Sequence, residues 1–193
     1  MPSDPDPSSN PEPELLCVAG INEEMVVVSI NDDAWVQFCW NVEALCRNAA
    51  LAALAALAAS PNEPGNSPEP LGEVTIVLTD DRTIHELNRT YRGKNQPTNV
   101  LSFAAGPAPA AGISYPLGDV VLGFSTVNRE CLEAGRPIEN HLQHLVVHGC
   151  LHLLGFDHER DTEAAKMELL ETEILAGLGI PDPYKLDPHG HAA

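Results

Sequence analysis

The stretch HGCLHLLGFDH, residues 148–158, sets His148, His152 and His158 around Gly155. Neutral imidazole is the commonest side-chain metal ligand. His148 and His152 stand four residues apart, one helical turn, so both rings can point at one ion. Gly155 breaks the helix and lets the chain turn back, which brings His158 within reach as a third ligand. Zinc binds imidazole nitrogen at ~2.0–2.1 Å, and three protein ligands leave its fourth position open to water, as a catalytic site requires. The expectation is one Zn2+ per chain. Cys150 is the nearest candidate for a closed, structural site, but two residues on from His148 it faces away and reads as core. His144, a turn upstream, either supports the site or bonds a backbone carbonyl, and is not read as a ligand. Asp157 can hydrogen-bond a ligand imidazole or cap the helix that starts near 161. His189 and His191 fall in a terminal tail, outside any site.

The same spacing occurs in zinc proteases as H-E-x-x-H-x-x-G-x-x-H, where the Glu after the first His is the general base. Here that position is Gly149. Peptide hydrolysis loses the group that takes a proton from water and delivers it to the leaving amine. A metal still supplies Lewis acidity and a low-pKa water. What remains is to stabilise charge developing on the substrate, and for a phosphodiester the natural group is Arg, whose fork matches phosphate oxygens. YRGKNQPTN (91–99) offers Arg92 and Lys94 beside a constrained Pro turn. The missing Glu and the local charge both lean towards phosphate chemistry.

These residues need elements to hold them. PIENHLQHLVVHGCLHLLG (137–155) reads as a helix with Pro137 at its first position and Gly155 at its end. Its apolar residues fall nearly all the way round, the mark of a buried helix. His141, His144, His148 and His152, at spacings 3, 4 and 4, make one narrow stripe along it. A stripe of imidazoles in an apolar setting needs partners for many ring nitrogens. Strands are expected at 25–30, 73–79, 99–105 and 118–124, the last two as a long-looped hairpin. Further helices are expected at 32–60, 80–93, 125–135 and 161–179, the first and last opened by Asp caps. Cys39 and Cys46, seven apart on the first of these, share a face and read as core. Strands and helices mixed without strict alternation point to a small sheet with helices packed on it, an α+β fold.

The 193-residue chain suits one domain. Its expected span is 21–187, after a disordered acidic, proline-rich extension over 1–20 and before a tail over 188–193. Five Cys, an odd number with no C-x-x-C pair, suit a reduced setting better than a disulfide framework. No run of 18 apolar residues occurs, and the first residues lack the pattern of a signal or transit peptide. The expectation is a cytoplasmic protein with no membrane partner. The net charge of −18 argues against nucleic acid taken alone. Yet four of the ten basic residues lie between Arg82 and Lys94, with Glu86 the one acid among them. A local basic patch and a merely solvated helix face both fit.

Three stretches together, ELNRTYRGKNQPTNVLSF (86–103), LGDVVLG (117–123) and HLVVHGCLHLLGFDH (144–158), closely resemble the YbeY family, bacterial endoribonucleases of ribosomal RNA maturation. The resemblance continues into MELLETEILAGLG (167–179) and covers roughly 73 to 184. It implies zinc held by His148, His152 and His158. It implies that Arg92 is the functional arginine, catalytic and substrate-binding, in a loop between a short helix and a strand, with Lys94 beside it. The implied fold is a central helix, carrying the first two ligands, against a four-stranded mixed sheet with further helices around it. The implied work is cleavage of single-stranded RNA, processing of ribosomal RNA including the small-subunit 3′ end, and late small-subunit assembly among other assembly factors. Two rivals stand beside it: a zinc metalloprotease-like hydrolase, and a non-catalytic ribosome-assembly factor whose zinc is structural.

Overall fold

The computed structural model describes residues 21–58, 72–106, 115–158 and 160–185. The expected extension over 1–20, the tail over 188–193 with His189 and His191, and most of the loops over 60–72 and 106–116 lie outside those residues. Four strands form one mixed sheet: β1 (Val26–Ile30), β2 (Glu73–Thr79), β3 (Val100–Ala104) and β4 (Pro116–Gly123). Their order is β1-β2-β4-β3, with the first three parallel to one another and β3 antiparallel at the edge. The expected hairpin of the last two strands is present, with Val100 opposite Leu122 and Ala104 opposite Gly118.

Strand alternation sorts the sheet's two faces. Val74, Ile76 and Leu78 of β2 and Val120 and Leu122 of β4 enter the main core. Val77, Leu101, Phe103 and Val121 point the other way, onto Ile84 and Leu87 of helix α3 (Asp81–Arg92). The main face is covered by α2 (Val42–Ala58) and α5 (Ile138–Leu153), with α6 (Asp161–Gly177) against α5. Ala49, Ala50 and Ala53 of α2 are fully buried, so the alanine repeat supplies a smooth face for packing along α5 as well as helix propensity. Cys39, Cys46, Cys131 and Cys150 are buried free thiols. Burial pushes the Cys150 thiol up to about 12, which makes it inert packing. No helix among the described residues is long and apolar enough to cross a membrane.

The single helix expected over 32–60 is two. α1 (Ala34–Phe38) stops where Cys39 turns extended, and α2 starts three residues later. Trp35 explains the break. It is fully buried, donates its indole N–H to the Thr79 carbonyl at 3.1 Å, and meets Phe124 edge-on. That anchor fixes α1 at the end of the sheet, while α2 must lie along α5. Cys39 and Cys46 are both core, but not on one helix. Two helix starts also differ from expectation. Pro137 caps α5 from outside with extended backbone, and Arg160, not Asp161, holds the cap position of α6.

α4 (Phe124–Ala134) follows β4 without a cap of its own. Asp81, in the first turn of α3, supplies one: its carboxylate accepts from the Thr126 backbone N–H at 3.0 Å and from the Thr126 hydroxyl at 2.7 Å. A carboxylate on the free N–H groups of a helix start is favourable electrostatically as well. Asp81→Ala strands a buried Thr126 and is expected to cost about 1–3 kcal/mol. Urea unfolding of the two proteins checks it, with Asp81→Asn, which keeps one acceptor, falling between them.

Candidate metal centre

α5 is buried round most of its circumference, as its apolar pattern requires, and its four histidines are its main polar cargo. Each finds an acceptor off the helix, and two of them share one carboxylate. His141 Nε2 meets Glu130 of α4 at 2.7 Å, and Glu130 also accepts from Asn99. His144 Nε2 meets Glu171 Oε2 at 2.9 Å, and His148 Nδ1 meets the other oxygen of the same carboxylate at 2.8 Å. His152 Nδ1 meets the Phe156 carbonyl at 3.0 Å. Of the two roles open to His144, the carbonyl bond gives way to a carboxylate bond, because α6 sets Glu171 beside it.

These partners settle the tautomers. A carboxylate and a carbonyl only accept, so His148 and His152 carry their ring protons on Nδ1. Their Nε2 atoms then present lone pairs, and these face each other at 3.1 Å. Two lone pairs at that distance repel unless a proton or a cation lies between them. Burial holds the His152 imidazole below the ordinary histidine range, and the rings of His148 and His158 push the same way, so a second proton is disfavoured. The arrangement suits a metal ion.

His158 completes the cluster. Leu154 and Gly155 close α5, and Phe156 returns its N–H to the Leu151 carbonyl at 3.0 Å. Gly155 sits at φ 89, a left-handed conformation that a side chain would strain. The turn sends the Phe156 carbonyl to His152 and swings His158 over both rings. Its ring stacks on His148 at 5.6 Å and lies 5.0 Å from His152. One ligand atom from each of the three residues lies within 4.8 Å of the others, so together they can hold a metal ion. Asp157 bonds neither a ligand ring nor a helix end in the contacts described; its carboxylate accepts from the adjacent His158 backbone N–H at 2.7 Å.

Gly149 faces the sheet. A Cβ there would stand 2.5 Å from Val120 Cγ1 and 3.1 Å from Ser102 Oγ, and Ser102 donates to the Gly149 carbonyl at 3.1 Å. The general base of zinc proteases has no room at this position.

Arg92 is the last residue of α3, exposed, rather than a loop residue, and Lys94 follows just after it. The loop beyond is tied down: Asn88 donates to the Gln96 carbonyl at 2.8 Å, and the His85 ring meets Asn95 at 2.9 Å. α3 packs on the sheet face opposite α5. Among the described residues, no hydrogen bond or ion pair joins Arg92 or Lys94 to the three histidines.

Glu171 is the residue that reasoning from sequence passed over. It is 0% exposed, yet hydrogen bonds from His144 and His148 and the Tyr184 hydroxyl outweigh a burial that would otherwise raise its pKa, holding the carboxyl at about 2. Burial and the adjacent Glu171 carboxylate push the Tyr184 phenol up. A signal was present. Met167, Glu171, Ile174 and Leu175 share one face of α6, so an acid interrupts an apolar stripe.

The family model for "Endoribonuclease YbeY" matches residues 41–179, from the start of α2 to the end of α6. This chain belongs to the YbeY family. Its three histidines, Arg92 and Glu171 all lie inside the YbeY match. The endoribonuclease YbeY of Paramagnetospirillum magneticum is 47% identical over 163 residues, covering 82% of this chain and 94% of its own. That of Azorhizobium caulinodans is 48% identical over 163 residues, covering 84% and 98%. A solution structure of TM1509 from Thermotoga maritima overlaps 79% of this chain and 88% of its own, with TM-score 0.49 at 21% identity.

The contact at Gly149 can be tested directly. Gly149→Ala gains about 1 kcal/mol of helix propensity but overpacks a β-branched neighbour at a cost of about 1–3 kcal/mol. Net loss of stability is expected, read as a lower denaturation midpoint. A midpoint above that of the parent protein would mean that α5 stands farther from β4 than described.

Proposed function

We propose that this chain is a zinc-dependent, single-strand-specific endoribonuclease of ribosomal RNA processing, including maturation of the small-subunit 3′ end. Membership of a family described as endoribonucleases supports RNA as the substrate. The proposal extends to a cytoplasmic setting and to late small-subunit assembly, with that subunit and its assembly factors as partners. The observation that carries the metal is the pair of imidazole lone pairs facing each other at 3.1 Å with His158 alongside.

His148, His152 and His158 would hold the ion as three neutral ligands, the ligand number of a catalytic zinc site. When bound, zinc supplies Lewis acidity and lowers the pKa of a bound water towards ~7. The surrounding residues prepare that chemistry. The Phe156 carbonyl fixes the His152 tautomer, and the turn at Gly155 fixes where His158 lies. Arg92 offers a forked, permanently charged donor to phosphate oxygens, and Lys94 adds a second positive charge beside it. Single strands suit such a site because their backbone bends, whereas a stacked A-form duplex resists. The space taken by Val120 and Ser102 at Gly149 weighs against the protease reading.

Two measurements test the proposal. The purified protein is expected to hold about one zinc per chain, from the count of three ligands. Ala at any of the three histidines should release it, and a triple variant that keeps stoichiometric zinc would overturn the ligand set. Arg92→Lys and Arg92→Glu should leave zinc content and melting unchanged, because exposed substitutions shift stability by less than ~0.5 kcal/mol. Cleavage of single-stranded RNA should fall in the order Arg, Lys, Glu, since Lys loses the fork and Glu reverses the charge. Particle binding that survives Arg92→Glu, with residual cleavage equal in all three proteins, would instead favour the assembly-factor role.

A further inference from the structure

We propose that Glu171 is a positioning residue for the metal centre, held in place by His144 and Tyr184 and fixing His148 as the Nδ1–H tautomer. The inference rests on the zinc assignment above.

Glu171 reaches the site from α6, far along the chain from the histidine helix. One of its oxygens accepts from His148 Nδ1 at 2.8 Å, and the other accepts from His144 Nε2 at 2.9 Å and from the Tyr184 hydroxyl. Tyr184 also meets the His144 ring edge-on at 5.7 Å, so the two donors brace each other. Both oxygens of Glu171 thus have a partner, one on His148 and the other shared by His144 and Tyr184, and a carboxylate serves all three as acceptor. His148 must then keep its proton on Nδ1, and its Nε2 lone pair must point at His152.

A simple staple between α5 and α6 would need only some polar contact at this position. Positioning needs acceptors on both oxygens, and that difference is testable. Glu171→Gln conserves volume but replaces one acceptor by an amide donor. If the amide faces His148, the ring must move its proton to Nε2, the atom that would bind the metal. If the amide faces His144, that ring must change tautomer and the Tyr184 hydroxyl loses its carboxylate acceptor. Tyr184→Phe leaves both oxygens to the histidines and removes only the third donor, at a partly exposed site.

The experiment is zinc affinity by competition with a chromophoric chelator, read alongside melting of the metal-free proteins and ring-nitrogen NMR of His148 without metal. Glu171→Gln should bind zinc about 10–100-fold more weakly, the range for ligand-orienting partners. Its His148 should show a mixture of tautomers where the parent shows Nδ1–H. Tyr184→Phe should weaken zinc binding less, with metal-free melting close to the parent. If Glu171→Gln fails to fold, Tyr184→Phe and the parent's His148 tautomer decide: unchanged affinity in that variant, or an Nε2–H His148 in the parent, overturns the inference. Unaltered affinity in a folded Glu171→Gln, with zinc still lost in His148→Ala, sinks this inference alone. A parent protein that binds no zinc sinks the zinc assignment and this inference with it.

Discussion

A helix buried on nearly every side while carrying four imidazoles imposes the main constraint on this structure. Each ring meets an acceptor where it is buried or half-buried, since an unmet buried polar group costs about 1–3 kcal/mol. α5 cannot provide those acceptors, because its own backbone groups are used in the helix. They come from Glu130 on α4, Glu171 on α6 and the Phe156 carbonyl beyond the Gly155 turn. The placement of three other pieces of chain is thus tied to one stripe of side chains.

The same constraint shapes the candidate metal centre. Acceptors on the outer ring nitrogens leave the inner ones of His148 and His152 as facing lone pairs, and the turn at Gly155 lays His158 across them. Satisfying the outer nitrogens is what leaves the inner ones able to hold a metal ion.

The sheet divides the molecule's chemistry. On its main face, Gly149 brings the backbone of α5 against Val120 and Ser102, which leaves no space for a protease-type glutamate. On the other face, α3 rests on Leu101, Phe103 and Val121 and presents Arg92 and Lys94 to solvent at its end. β3, at the sheet edge, contributes Ser102 to one face and Phe103 to the other.

Spacing alone determined the histidine cluster, the turn that closes it and the helix that carries it, because ligand geometry at one helical turn is a local property. Strand positions, the β3–β4 hairpin and the α+β architecture were legible for the same reason, in alternation and turn residues. Three features depended on contacts between distant segments, and only the tertiary structure decided them. The helix expected over 32–60 breaks because Trp35 finds the Thr79 carbonyl, 44 residues away. Asp81 looks like an ordinary first-turn acid until Thr126 arrives beside it. Glu171 stood in the sequence as an acid interrupting an apolar stripe, but its two imidazole partners lie 23 and 27 residues upstream. A periodic pattern reveals which way a side chain faces; what it meets there is set by how the helices pack.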